Sequence, residues 1–112
     1  MIVVSNASPL ITLARANHLH NLHKLFGGIF VPSEVYSEIV VTGACRPGAD
    51  VVAQSAWIHV RPVENRAILE ELIDSSGLGS GEISAVLLAK QLGADLLLLD
   101  ERRPRRFAHS HD

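Results

Sequence analysis

Residues 96–100, LLLLD, place four consecutive leucines directly before an acidic residue near the end of the chain. An apolar run without alternation is typical of a central strand in a parallel sheet, because helices cover both faces of such a strand. We therefore expect a buried strand that ends with Asp100 at the edge of the sheet. This junction indicates both a fold class and the position of a site.

The rest of the chain alternates between strand and helix patterns. Short apolar runs predict further strands at 2–5, 29–31 and 57–60. Apolar spacing, caps and stop signals predict helices at 8–17, 19–26, about 32–41, 48–55, 65–74 and 82–92, with a glycine-rich loop at 75–81. Such alternation implies parallel βαβ units. We predict one α/β domain over residues 1–112, an open, mainly parallel four-stranded sheet with helices on both faces, in a three-layer arrangement of Rossmann type.

Composition excludes several classes of protein. The chain has 112 residues, 47% of them apolar and 20% charged, which is typical of a globular domain. The first residues, 1–5, lack the basic and apolar regions of a signal peptide, and no run approaches the roughly 20 apolar residues of a membrane span. Cys45 is the only cysteine, so an intrachain disulfide is impossible. We expect a cytoplasmic protein that has no membrane partner.

Polar residues lie where the predicted strands end. Asn6 follows the first strand and Asp100 follows the last, and side chains on neighbouring strands start only about 5 Å apart. Glu38 lies on the helix after the second strand, and Glu82 begins the helix before the last strand. Because open parallel sheets bind ligands beyond the carboxyl ends of their strands, these side chains can face one pocket.

Clustered carboxylates raise one another's pKa values unless a cation lies between them. Mg²⁺ or Mn²⁺ prefers carboxylate oxygens and water as ligands and can activate water against a phosphodiester. Each acid also has a structural interpretation: Glu82 suits a first helical turn, Glu38 a solvated helix face, and Asp100 a helix cap. Their combined placement along the chain favours a metal site.

Four segments carry a family pattern: VSNASPLI at 4–11, VPSEVYSE at 31–38, LGSGE at 78–82 and LLLDER at 97–102. They resemble the PIN domain superfamily and, more narrowly, its branch of small prokaryotic proteins related to VapC-type toxins. Because the segments occur in order over nearly the whole chain, the resemblance is more specific than any single motif.

The resemblance implies a metal-dependent endoribonuclease of the toxin type that cleaves single-stranded RNA. By position, the quartet that binds Mg²⁺ or Mn²⁺ falls on Asn6, Glu38, Glu82 and Asp100. The carboxylates of this quartet are the expected catalytic groups, Ser8 is an expected hydroxyl contact near the first metal position, and Glu34 is an alternative to Glu38. Members in toxin modules are held inactive by a small antitoxin protein and often form dimers, so an antitoxin and a homodimer are implied as well.

Two departures from the family pattern predict weakened catalysis. Asn6 stands at the first acidic position, where an amide offers a carbonyl oxygen but no charge, so metal affinity should fall. Relatives continue past the segment that matches residues 107–109 into a further strand and helix, so we expect a C-terminally shortened domain with the leucine strand at its edge. An exposed apolar edge favours pairing with a second chain.

The alternative function is a non-catalytic module that binds RNA or a protein through the same cleft. Asn6 and the short C-terminus favour it. The last segment carries a group of arginines that either contact RNA phosphates or form a solvated tail: Arg102, Arg103, Arg105 and Arg106. Of these, Arg102 and Arg103 are the predicted substrate contacts.

Three further patterns are weaker. The glycines of residues 77–81 are similar to a phosphate-binding loop, but a dinucleotide fingerprint requires a strand directly before it, and here a helix is predicted. A receiver domain would need an acidic pair after the first strand, which is absent. The histidines at 18–23 and 109–111 have no cysteine beside them, so we expect them to face solvent and not to bind zinc.

Overall fold

A computed structural model describes residues 1–99 and contains one sheet with helices on both of its faces. In chain order the elements are β1 (Val3–Ser5), α1 (Ala7–Arg15), α2 (His20–Phe26), β2 (Ile29–Pro32), α3 (Ser33–Ser37), a π-turn (Glu38–Thr42), α4 (Ala49–Gln54), β3 (Ile58–Arg61), α5 (Arg66–Ser76), α6 (Ser80–Leu92) and β4 (Leu96–Leu98). Every helix within this range is too short or too polar to cross a lipid bilayer.

The strands pair in the order β3-β2-β1-β4, and every pairing is parallel. Strands β2 and β3 follow one another on one side of β1, whereas β4 lies on the other side of β1. The strand order therefore reverses between β1 and β4. The predicted α/β class with an open parallel four-stranded sheet is confirmed. The first and last strands are neighbours, which is the condition for Asn6 and Asp100 to lie close together. The expectation of a buried leucine strand is wrong, because β4 lies at the edge of the described sheet and none of its three residues is fully buried.

Alternation along β1 divides the core into two layers. Val3 and Val4 are both fully buried, but they point to opposite faces of the sheet. Val3 packs with apolar residues from α1 to α4, and Val4 packs with those of α5 and α6. Both positions are apolar because helices cover both sides of the strand.

Helix α6 lies centrally on the second face, where it contacts β1, β2, β4, α3 and α5. Buried residues occur on most sides of this helix: Gly81, Ile83, Ser84, Ala85, Val86 and Leu88. A helix that is buried this widely is held by packing on several elements at once. Its first turn is therefore fixed relative to the carboxyl ends of β1 and β2.

Three helix boundaries near the expected site differ from the prediction. The helix predicted to run from about 32 to 41 changes to π-helix at Glu38, where the Gly43 N–H donates to the Glu38 carbonyl at 3.0 Å. Helix α6 begins at Ser80 rather than at Glu82, and α5 extends to Ser76, so the predicted loop at 75–81 shrinks to 77–79. Local sequence favoured a loop there, but packing of α5 on α6 extends both helices.

The buried face of α1 generates a stability prediction. Leu10 is 0% exposed, whereas Leu25 on α2 is 72% exposed. We expect Leu10→Ala to lower the free energy of unfolding by about 2–5 kcal/mol, because it leaves a cavity in the core. Leu25→Ala is the matched control and should change it by no more than about 0.5 kcal/mol. Urea denaturation measures both, and equal effects would contradict the assignment of α1 to the core.

Candidate functional site

Asn6 lies at the carboxyl end of β1, next to the point where the strand order reverses. Its backbone N–H donates to the Leu98 carbonyl at 2.9 Å, which continues the pairing of β1 with β4. Its side-chain Oδ1 accepts from the Ala7 N–H at 2.7 Å, so the amide caps α1. The side chain is buried, and one lone pair of its carbonyl oxygen is already used. This second role was not predicted from the sequence.

Glu38 is the first residue of the π-turn that follows α3. π-Helical turns are rare and occur frequently at functional sites, because the extra residue shifts the side chains that follow it. Glu38 lines two cavities, one together with Ser80 of α6 and the other together with residues of α1. Both cavities therefore share this acid.

Glu82 lies in the first turn of α6, where its Oε2 accepts from the Gly79 N–H at 3.1 Å. This hydrogen bond satisfies a donor that the start of the helix leaves without an intrahelical partner. The positive end of the helix dipole also favours a carboxylate at this position. Glu82 therefore has the structural role expected of an acid in a first helical turn. The hydrogen bond from Gly79 holds its carboxylate in place at the edge of the sheet.

Gly81 lets the Glu38 carboxylate approach α6 closely. A Cβ atom at Gly81 would lie only 2.8 Å from Glu38 Oε1, so any side chain here would displace the acid. The Cγ2 atom of Val35, on α3, would lie 3.5 Å from the same Cβ atom. Because Gly81 has no side chain, the Glu38 carboxylate can lie next to Gly81, the residue directly before Glu82.

The electrostatics of Glu38 agree with this arrangement. Partial burial raises the pKa of its carboxyl above the usual value, and the negative charge of Glu82 raises the pKa further. The positive charge of Arg46 acts in the opposite direction. Two carboxylates thus share one site and repel each other, which is the condition that a bound cation relieves.

The two cavities beside Glu38 differ in character. The cavity toward α6 has a volume of about 500 Å³ and is lined by acids and hydroxyls: Ser33, Glu34, Ser37, Glu38, Thr42 and Ser80. The cavity toward α1 has a volume of about 260 Å³, and its charged lining residues are Glu38, Arg15 and Arg46. Ala7, directly after Asn6, also lines this second cavity. Asn6 and Glu38 therefore flank the same edge of the sheet.

Glu34, the alternative to Glu38, has a different partner. Its Oε2 lies 2.7 Å from Arg66 Nη1, which links α3 to the start of α5. Its other oxygen, Oε1, is buried and has no hydrogen-bond partner among the described residues. The ion pair occupies Glu34 and leaves Glu38 as the acid that faces Gly81 and Glu82.

The remaining predicted residues are distributed as follows. Ser8 is half-buried in the first turn of α1, and it lines neither cavity beside Glu38. Asp100, Arg102 and Arg103 lie outside the described residues, as do Arg105, Arg106 and the histidines at 109–111. Within residues 1–99, no three acidic, histidine or cysteine side chains come together, so the described part of the site contains the pair Glu38 and Glu82.

His18, His20 and His23 are exposed, as expected, and His23 stacks on Trp57 with ring centroids 5.2 Å apart. Sequence reasoning missed Gly81 and Arg46 as parts of the site. The segment 78–82 was recognised, but only its acid received a role. Arg46 lies in a loop between elements, and nothing in the local sequence shows that this loop folds back toward Glu38.

A comparison with protein families gives one match. The family model described as DUF3368: PIN domain matches residues 2–112, which is nearly the whole chain. No curated protein and no solved structure matched the chain.

The charges around Glu38 generate a titration prediction. Glu82→Gln should lower the pKa of the Glu38 carboxyl, because it removes a negative charge while the amide oxygen can still cap α6. Arg46→Gln should raise that pKa, because it removes a positive charge. Carbon-detected NMR titration of the glutamate carboxyls measures both shifts.

Glu70→Gln, on α5, is the matched control and should leave the Glu38 titration unchanged. Because the folded-state pKa of Glu38 is raised, its ionisation costs stability as the pH rises through that value, and Glu38→Gln should remove this loss. If Glu82→Gln and Arg46→Gln both left the pKa of Glu38 where it was, the three groups would not share a site.

Proposed function

The chain belongs to the DUF3368 family of PIN domains, and from this we propose that it is a metal-dependent ribonuclease of the toxin type that cleaves single-stranded RNA. PIN domains are generally nuclease-like, so the family supports the class of reaction. The observation that carries the proposal is the approach of Glu38 to Glu82 across Gly81, at the carboxyl edge of the sheet.

The donor chemistry of this edge fits Mg²⁺ or Mn²⁺. Both ions prefer carboxylate oxygens, and the pair Glu38 and Glu82 offers two carboxylates whose mutual repulsion a cation would offset. Glu38 and Glu82 would hold the ion, with Asp100 as a third carboxylate directly after Leu99 and Asn6 as a neutral amide ligand. When bound, the ion supplies Lewis acidity toward a phosphodiester and activates water.

The protein's own groups position the substrate. The capping hydrogen bond from the Gly79 N–H fixes one oxygen of Glu82, so its carboxylate is preorganised at the rim. The hydroxyls of Ser33, Ser37, Thr42 and Ser80 line the cavity on the α6 side of Glu38, where they can accept or donate to a ribose or phosphate. We assign Ser8, Arg102 and Arg103 to substrate contacts.

Asn6 weakens the site in two ways. It carries no charge, and its Oδ1 already accepts from the Ala7 N–H, so it contributes less to a cation than an aspartate would. Low metal affinity and slow turnover follow. The same feature favours the second candidate, a non-catalytic module that binds RNA or protein through this cleft.

As partners we expect single-stranded RNA, a small antitoxin and a second copy of the chain. The dimer is supported by β4, which pairs only with β1 among the described strands and leaves Leu96 39% exposed at the edge of the sheet. A cytoplasmic location is supported by Cys45, a single exposed cysteine that suits a reducing compartment.

Mn²⁺-dependent cleavage of a labelled single-stranded RNA tests the function. We expect slow cleavage by the wild type, loss of cleavage in Glu38→Gln and Asp100→Asn, and no change in the control Glu70→Gln. Asn6→Asp should tighten Mn²⁺ binding by at least about 10-fold, since even the loss of a group that only hydrogen-bonds to a metal ligand changes metal affinity by that much. Calorimetric titration with Mn²⁺ measures this effect apart from turnover.

Three outcomes are distinguishable. Cleavage that survives in Glu38→Gln would refute the assignment of this acid. Unchanged Mn²⁺ affinity in Asn6→Asp would show that residue 6 is not a ligand. If neither the wild type nor Asn6→Asp cleaves RNA but both bind it, the binding module is the correct function.

A further inference from the structure

The cavity between α1 and the π-turn contains two arginines that no part of the catalytic proposal uses. Arg15 ends α1, and Arg46 lies in the loop of residues 43–48. Both line the same cavity of about 260 Å³, together with Glu38. Two guanidinium groups beside one cavity favour an anionic ligand there.

Both arginine side chains lie beside glycines of the loop. The Cβ position of Gly48 lies 3.6 Å from Arg15 Cγ, and its backbone has a φ of 94°, a conformation that favours glycine. The Cβ position of Gly43 lies 3.7 Å from Arg46 Cδ, and the Arg46 N–H donates to the Gly43 carbonyl at 2.9 Å. The two side chains therefore lie along the loop, where both line one cavity.

Neither guanidinium is held by a salt bridge among the described residues, although the positive charge of Arg46 acts on Glu38. Among residues 1–99, Arg15 and Arg46 form no ion pair with a carboxylate, whereas Arg66 pairs with Glu34 at 2.7 Å. Both residues are exposed, so their donors are available to a ligand. An arginine guanidinium presents several N–H donors in a plane and binds a phosphate through two of them at once.

We infer that Arg15 and Arg46 form a subsite for a backbone phosphate of single-stranded RNA, in the cavity that Glu38 shares with α1. This inference rests on the proposed function and adds a determinant of substrate binding to it. Glu38 and Glu82 would hold the metal at the scissile phosphodiester, and the two arginines hold a neighbouring phosphate. The strand then passes over Glu38, which lines both cavities.

The position of the subsite gives the strand a fixed direction of approach. Ala7 and Ile11 of α1 and Pro47 of the loop line the same cavity and provide an apolar wall beside the two cations. A phosphate that enters against this wall brings its sugar and base along the surface between α1 and the loop. The loop 43–48 is thus a determinant of substrate position.

Salt-dependent binding tests the subsite without any metal. Affinity of a fluorescein-labelled ten-nucleotide single-stranded RNA is measured by anisotropy in EDTA, over a range of KCl concentrations. Loss of one phosphate contact should flatten the plot of log K against log salt concentration by about 0.7. The double variant Arg15→Gln with Arg46→Gln should show that change, and each single variant should show part of it.

Two controls accompany these variants. Lys24→Gln removes one positive charge from α2, which leads into the amino end of β2 and thus lies toward the opposite edge of the sheet, and it should leave the slope unchanged. Arg15→Lys with Arg46→Lys keeps both charges and should restore the wild-type slope, with weaker binding because lysine lacks the planar fork. Thermal unfolding followed by circular dichroism establishes that each variant is folded.

The outcomes separate this inference from the proposed function. Wild-type slopes in folded Arg15→Gln and Arg46→Gln would overturn the subsite and leave the nuclease proposal intact, as would a wild type that cleaves RNA with Mn²⁺ but does not bind it in EDTA. A wild type that neither binds nor cleaves single-stranded RNA would overturn both.

Discussion

The parallel pairing of β1 with β4 is the contact on which the rest of the molecule depends. It joins segments that are more than 90 residues apart, and hydrogen bonds at both ends secure it: the Ile2 N–H donates to the side-chain Oδ2 of Asp95 at 2.6 Å, and the Asn6 N–H donates to the Leu98 carbonyl at 2.9 Å. This pairing creates the reversal of strand order at which parallel sheets bind their ligands. Asn6 lies at that reversal because β1 ends there.

Packing of α6 on β1, β2 and α3 then completes the site. The helix brings its first turn to the carboxyl edge, and Gly81 allows Glu38 to approach within a distance that a side chain would forbid. The cost is electrostatic, since burial and the charge of Glu82 raise the pKa of the Glu38 carboxyl. Glu82 offsets part of this cost by capping its own helix. A role in the fold and a role in the site thus coincide in one residue.

Much of this could be predicted from the sequence, because it follows from local patterns. The leucine run, the alternation of strands with helices, and the position of Asn6 at a strand end all depend on neighbouring residues. The features that escaped prediction depend on distant contacts. The π-turn at Glu38 packs on α1 and α4, and Arg46 comes near Glu38 because its loop lies against α1. The helix cap formed by Asn6 was not predicted, because its position at the end of a strand was interpreted only as a metal-binding position.

The central claim is that Glu38 and Glu82 bind one divalent ion at the carboxyl edge of the sheet. A crystal of the protein grown with Mn²⁺ and measured at the manganese absorption edge tests it most directly. The account predicts an anomalous peak within about 2.3 Å of an oxygen from each of these two carboxylates, a distance typical of hard cations with oxygen ligands. A peak at some other acidic group, or no peak beside Glu38 and Glu82 at saturating Mn²⁺, would contradict it.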